Sequence, residues 1–101
     1  MNFYHMTTLE QWAKYQKDAN YEAESLVSEG FIHCSYAEQV EASLKRYFVG
    51  CERVLIIEID PTLLRSKLVI EKSRNGDLFP HIYGQINKSA IVKMREKIMA
   101  I

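Results

Sequence analysis

Glycine and proline are scarce in this chain, at four and two residues, so it has neither the composition of a fibrous repeat nor that of a flexible linker. Cysteine is nearly as scarce. Cys34 and Cys51 form neither a CxxC pair nor the dense spacing of a secreted scaffold, which predicts reduced thiols, buried or bystander, in a cytoplasmic protein. Apolar runs such as Val54 to Ile57 fall far short of the roughly 20 residues that span a bilayer, and no basic segment followed by a long apolar stretch opens the chain. A membrane is therefore not an expected partner. An excess of one charge is also missing, since 13 Lys and Arg residues cancel 13 Asp and Glu residues. Without a global field, DNA is excluded as an expected partner and RNA is disfavoured, while a small anionic ligand remains open. No Gly-rich phosphate loop, HExxH, GxSxG or aromatic RNA-binding signature occurs, so the motif-defined enzyme classes have nothing to hold.

The composition is that of an ordinary globular protein, 48% hydrophobic and 26% charged over 101 residues, which predicts one domain with its own core. Asn2 to Met6 reads as a short strand. Thr7-Thr8-Leu9-Glu10 has the pattern of a capping box, opening a helix that runs to about Asp18 with Leu9, Trp12 and Ala13 on one face. The polar, acidic stretch from Ala19 to Gly30 has no periodicity and predicts a loop. Phe31 to Cys34 reads as a strand, and Ser35-Tyr36-Ala37-Glu38 repeats the capping pattern, with Ser35 as the N-cap of a helix carrying Val40, Leu44, Tyr47 and Phe48. Val54 to Ile59 is apolar enough on both faces to be the central strand. Strands at Leu68 to Lys72, His81 to Ile86 and Ala90 to Met94 follow, with Ser73 to Asp77 as turn chemistry. Two early helices and late strands predict an α+β fold of about six strands.

All three histidines fall in strand-like segments among aromatic or β-branched residues: His5, His33 and His81. Strand alternation puts His33 and Ser35 on one face and, further on, His81, Tyr83 and Gln85 on another, opposite Ile82 and Ile86. A polar face assembled from several strands predicts a cleft on which the three imidazoles converge. Ser35 stands at the start of a helix, where amides can also meet an anion. Glu71, ending the Leu68-Val69-Ile70 run ahead of His81, is the carboxylate to note.

Tyr4-His5-Met6-Thr7, Gly30-Phe31-Ile32-His33-Cys34-Ser35 followed by Ala37-Glu38-Gln39-Val40, and Phe79-Pro80-His81-Ile82-Tyr83-Gly84 together resemble the domain-of-unknown-function nine-five-two family of small bacterial proteins, over essentially the whole chain. The resemblance implies an ADP-ribosyltransferase-like fold, two packed small sheets with a cleft between them, in a family without an established activity. It makes NAD the candidate cofactor and a small nucleotide the candidate ligand. In that larger superfamily a late glutamate orients the nicotinamide ribose; His81 stands as the candidate there, and a neutral imidazole does not supply the same charge.

Three readings result. In the first, an ADP-ribosyltransferase-like nucleotide-binding protein uses His33 and His81 catalytically, with His5, Ser35, Tyr83 and Glu71 contacting ligand. The second is a non-catalytic binding or interaction module on the same fold. The third is a His₃ metal enzyme, which requires the three rings to meet within about 2.1 Å of one point.

Overall fold

The computed structural model describes residues 1–99. Its architecture is α+β, built from small antiparallel sheets and short helices. The first sheet has the order β1-β4-β8, from Phe3–Thr7, Arg53–Ile59 and Ile91–Ile98. As its alternation-free apolar run requires, β4 is central, and the sheet is buried on both faces around it. On one face Met6, Val54 and Ile56 pack against Val40 and Leu44 of a helix, Val40–Tyr47. On the other face Phe3, Ile57 and Ile59 meet Ile32, Cys34 and Ile82 of a second three-stranded sheet in a shared core.

That second sheet has the order β3-β6-β5, from Ile32–His33, Leu78–Tyr83 and Lys67–Lys72. Its register pairs Ile32 with Ile82 and His33 with His81, then Val69 with His81 and Lys67 with Tyr83. A backbone bridge between Tyr4 and Ser35, with 2.7 Å bonds in both directions, ties the end of β3 to β1. A two-stranded pair, β2 (Asn20–Tyr21) with β7 (Ile86–Asn87), completes the sheets. The hairpin turn expected at Ser73 to Asp77 joins β5 to β6, closed by a 2.8 Å bond from the Ser73 amide to the Asp77 carbonyl.

Several elements differ from expectation. The first helix, α1, is only Leu9–Ala13, and the chain then continues to Asp18 in turns bonded three residues back. Its N-cap is Thr8, which accepts from the Gln11 amide at 3.1 Å, while Thr7 belongs to β1 and accepts a 2.7 Å bond from the Tyr21 hydroxyl. The stretch from Ala19 to Gly30 is structured: β2 is followed by a second helix, α2 (Glu24–Glu29). Tertiary burial makes it so, because Tyr21 and Ala23 enter the core whereas α2 shows no buried residue and hence no legible period. Gly30 stops α2 at φ +88°, its amide reaching back to the Ser25 and Leu26 carbonyls.

Ser35 is not a helix cap. A 3-10 turn, Ala37–Gln39, precedes the third helix, α3 (Val40–Tyr47), and the Tyr36 amide is met by the Gln39 side chain at 2.9 Å. The Ser35 hydroxyl instead bonds Ser43 of α3 at 2.9 Å, since the bridge to Tyr4 already holds the Ser35 backbone. The strand expected over His81 to Ile86 breaks at Gly84, where the backbone lies so close to Ser66 that a Cβ would meet its Oγ at 2.5 Å. Gln85 consequently leaves the His81 row and donates to Glu22 at 3.1 Å. The last strand runs to Ile98 because it pairs along the whole of β4, as far as Arg53; as an exposed edge it lacks the buried face that would make its extent legible.

Candidate functional site

Alternation divides the β3-β6-β5 sheet into an inner face, Ile32, Cys34 and Ile82, and an outer one carrying His33, His81, Tyr83 and Glu71. Because β3 pairs His33 directly with His81, the two rings meet edge to face with centroids 5.4 Å apart. Phe31, two residues before His33, lies over them. Its ring stacks on His81 at 4.2 Å and 21°, and tilts against His33 at 4.8 Å and Tyr83 at 5.6 Å.

Each imidazole is backed by a carboxylate. Glu71 Oε1 accepts from His81 Nδ1 at 2.7 Å and from the Tyr83 hydroxyl at 2.6 Å. Glu29 Oε2 accepts from His33 Nε2 at 3.0 Å. A carboxylate oxygen can only accept, so the proton sits on the bonded nitrogen in each case, leaving His81 Nε2 and His33 Nδ1 for other partners. The Tyr83 and His81 bonds hold the Glu71 carboxyl below its ordinary value, and Glu71 in turn raises the Tyr83 phenol. Exposure separates the histidines: the His81 side chain retains 16% of its surface under Phe31, the His33 side chain 47%.

His5 does not share this face. It is buried, its Nδ1 donating to the His33 carbonyl at 2.7 Å and its Nε2 standing 3.4 Å from the Tyr21 hydroxyl. Desolvation lowers its pKa to about 4, outweighing the bond to the His33 carbonyl; the Tyr21 phenol, pushed up to about 12 mainly by its own burial, stays neutral. The expected three-histidine cleft is thus a pair of histidines on an open face, with the third imidazole in the core behind the His33 backbone. Ser35 is buried too, with its hydroxyl turned to Ser43. Two open grooves of about 250 and 320 Å³ lie elsewhere, and neither is lined by a histidine. The His₃ metal reading fails on the same geometry: among the described residues no three His, Cys, Asp or Glu side chains come together as a metal site.

Phe31 and Glu29 join the site without having been expected there. Phe31 was within reach of the alternation rule, being two residues before His33 in the expected Phe31 to Cys34 strand, although β3 itself begins at Ile32. Glu29 was not, since it meets His33 only because α2 ends in the left-handed turn at Gly30. Cys34 is buried in the core, where burial raises its thiol pKa, and Cys51 is half-buried; both thiols are free.

The family model described as "Protein of unknown function (DUF952)" matches residues 6–94. The chain belongs to the DUF952 family. The match contains Phe31, His33, Glu71, His81 and Tyr83, so the whole outer face lies inside the DUF952 region. This DUF952 chain is similar in structure to protein CC0527 from Caulobacter crescentus. It superposes on the crystal structure with a TM-score of 0.86 at 24% identity, covering 95% of this chain and 85% of that one. The solution NMR structure of CC0527 gives 0.73 at 23% identity, covering 93% and 82%. At such identity the likeness concerns the fold alone. No curated protein matches the sequence. Among the described residues no helix is long and apolar enough to cross a membrane.

Proposed function

We propose that the outer face of the β3-β6-β5 sheet binds a small nucleotide-type ligand on an ADP-ribosyltransferase-like scaffold. The observation that carries this reading is the convergence of Phe31, His33, His81 and Tyr83 with Glu71 on one solvent-facing surface. Aromatic and imidazole rings offer a base a flat partner, and a free imidazole nitrogen accepts from a ribose hydroxyl in the neutral ring and donates to a phosphate oxygen in the protonated one. Both hydrogen bonds to Glu71 fall on Oε1, which leaves Oε2 for a ribose hydroxyl. The packing of two of the three small sheets, β1-β4-β8 and β3-β6-β5, on a shared core supports the ADP-ribosyltransferase-like assignment. His33 and His81 are then the groups that touch the reacting atoms, Tyr83 and Glu71 line the site, and His5 and Ser35 act from behind by holding the β3 backbone and α3. NAD is the dinucleotide to test first, because its two bases and two riboses match a face of rings and one carboxylate.

The test is a titration with NAD, ADP-ribose and AMP followed through the imidazole signals by NMR. Saturable shifts are expected at His33 and His81 and not at His5, with up to about tenfold weaker binding in Phe31→Ala through lost stacking. Absence of any shift at millimolar ligand, or affinity unchanged in Phe31→Ala, refutes the reading.

A further inference from the structure

The pairing of each outer-face imidazole with its own carboxylate is more than a binding face requires. Ligand recognition needs a donor or acceptor at a fixed place. Two carboxylate-backed imidazoles with centroids 5.4 Å apart, each with one nitrogen bound to protein and the other free, form the equipment for moving two protons around one small centre. Resting on the nucleotide reading above, we propose that His33 and His81 act as a general acid–base pair on a phosphodiester, the substrate class being a nucleoside 2′,3′-cyclic phosphate.

The chemistry selects the bond. Breaking the glycosidic bond of a nicotinamide nucleotide releases a neutral pyridine, which needs no proton, so a general acid would be idle there. Hydrolysing a phosphodiester needs both partners, because the attacking water must lose a proton and the departing alkoxide must gain one. His81 is suited to the base role. Glu71 fixes the proton on Nδ1, Tyr83 braces the same oxygen, and Phe31 covers the ring, so Nε2 carries a lone pair in a rigid setting. His33, more exposed and turned by Glu29, is suited to the acid role through a protonated Nδ1.

In the step, His81 Nε2 takes a proton from water as its oxygen forms the new bond to phosphorus. The bond from phosphorus to the ribose 2′-oxygen breaks, and that oxygen takes its proton from His33 Nδ1. One water is consumed, a 3′-phosphomonoester is released, and solvent exchange resets both rings. Lys67, the cross-strand partner of Tyr83 on this face, adds a cation to the patch for the phosphate oxygens. Glu29 and Glu71 are positioning residues.

The experiment incubates the purified protein with adenosine 2′,3′-cyclic phosphate and follows conversion to the monophosphate by phosphorus NMR between about pH 5 and 8. The expected result is turnover with a bell-shaped pH dependence, lowered roughly 100- to 10,000-fold in both His33→Ala and His81→Ala. Glu71→Gln is expected to lower turnover and to move the acidic limb of the profile, the limb set by the base His81, while leaving the basic limb in place, which a loss of folding alone would not do. His33→Gln and His81→Gln, which keep an amide for the carboxylate, serve as folded counterparts and are expected to be equally inactive. Turnover that persists in both alanine variants overturns the proposal. Binding of AMP at His33 and His81 without turnover of the cyclic substrate overturns it while leaving the nucleotide reading intact; absence of both overturns the two together.

Discussion

Acidification tests the burial of His5 directly. The native imidazole is held neutral, with a pKa of about 4 against 6.5 for the free group, because desolvation penalises its charged form. As pH falls through 6.5 the unfolded chain takes up a proton at this position and the native chain does not, so the equilibrium moves toward unfolding. The contribution is therefore fully present above about 6.5 and lost progressively down to about 4. At about 1.4 kcal/mol per pH unit, the gap corresponds to about 2 kcal/mol by pH 5 and about 3 kcal/mol by pH 4. The assay is urea unfolding, followed by Trp12 fluorescence, across this range for the parent and His5→Asn. Asn is chosen because its amide can still donate to the His33 carbonyl while having nothing to titrate. The carboxyls of Glu71 and Asp60, both held below their ordinary values by hydrogen bonds, lose stability at lower pH and do so alike in both proteins, so they cancel in the difference. The expected outcome is a parent curve that falls more steeply than the variant curve between about pH 6.5 and 4.5. Parallel curves would refute the buried, neutral His5.

Two further outcomes follow from the two faces of β6 and from its end. Ile82→Ala empties a fully buried position of the shared core and should cost about 2–5 kcal/mol, whereas His81→Ala removes an outer-face ring and should cost about 1 kcal/mol in the same denaturation assay. Equal losses would make His81 a core residue. Gly84→Ala drives a Cβ to 2.5 Å from Ser66 Oγ and 2.9 Å from Ser66 Cβ, and should lower stability by about 1–3 kcal/mol, with partial recovery when Ser66→Gly is added. A melting temperature unchanged by Gly84→Ala would show that Ser66 moves aside freely.

Elements whose pattern is local were legible from the residues alone. Val54 to Ile57 is apolar without alternation, and such a strand has to be covered on both sides, as β4 is. Ser73 to Asp77 holds turn residues between two strand-like runs, and the hairpin forms there. The strand positions of His33 and His81 and their alternation with Ile32 and Ile82 were legible for the same reason: period two assigns opposite faces. Period does not say which face is covered. His5 alternates in β1 as His33 does in β3, yet only the packing of the first sheet against the second turns His5 into the core and leaves His33 outside. Ser35 carries a capping residue's side chain, but the bridge to Tyr4 and the nearness of Ser43 outcompeted the local role. The α2 helix and the length of β8 were hidden because neither shows a buried stripe of its own. Register matters most for the site. Pairing His33 with His81 brings together rings 48 residues apart, and the turn at Gly30 brings Glu29 back onto one of them. Those contacts depend on how separate strands align, a tertiary choice made by the burial of Ile32 against Ile82 on the other side of the same sheet.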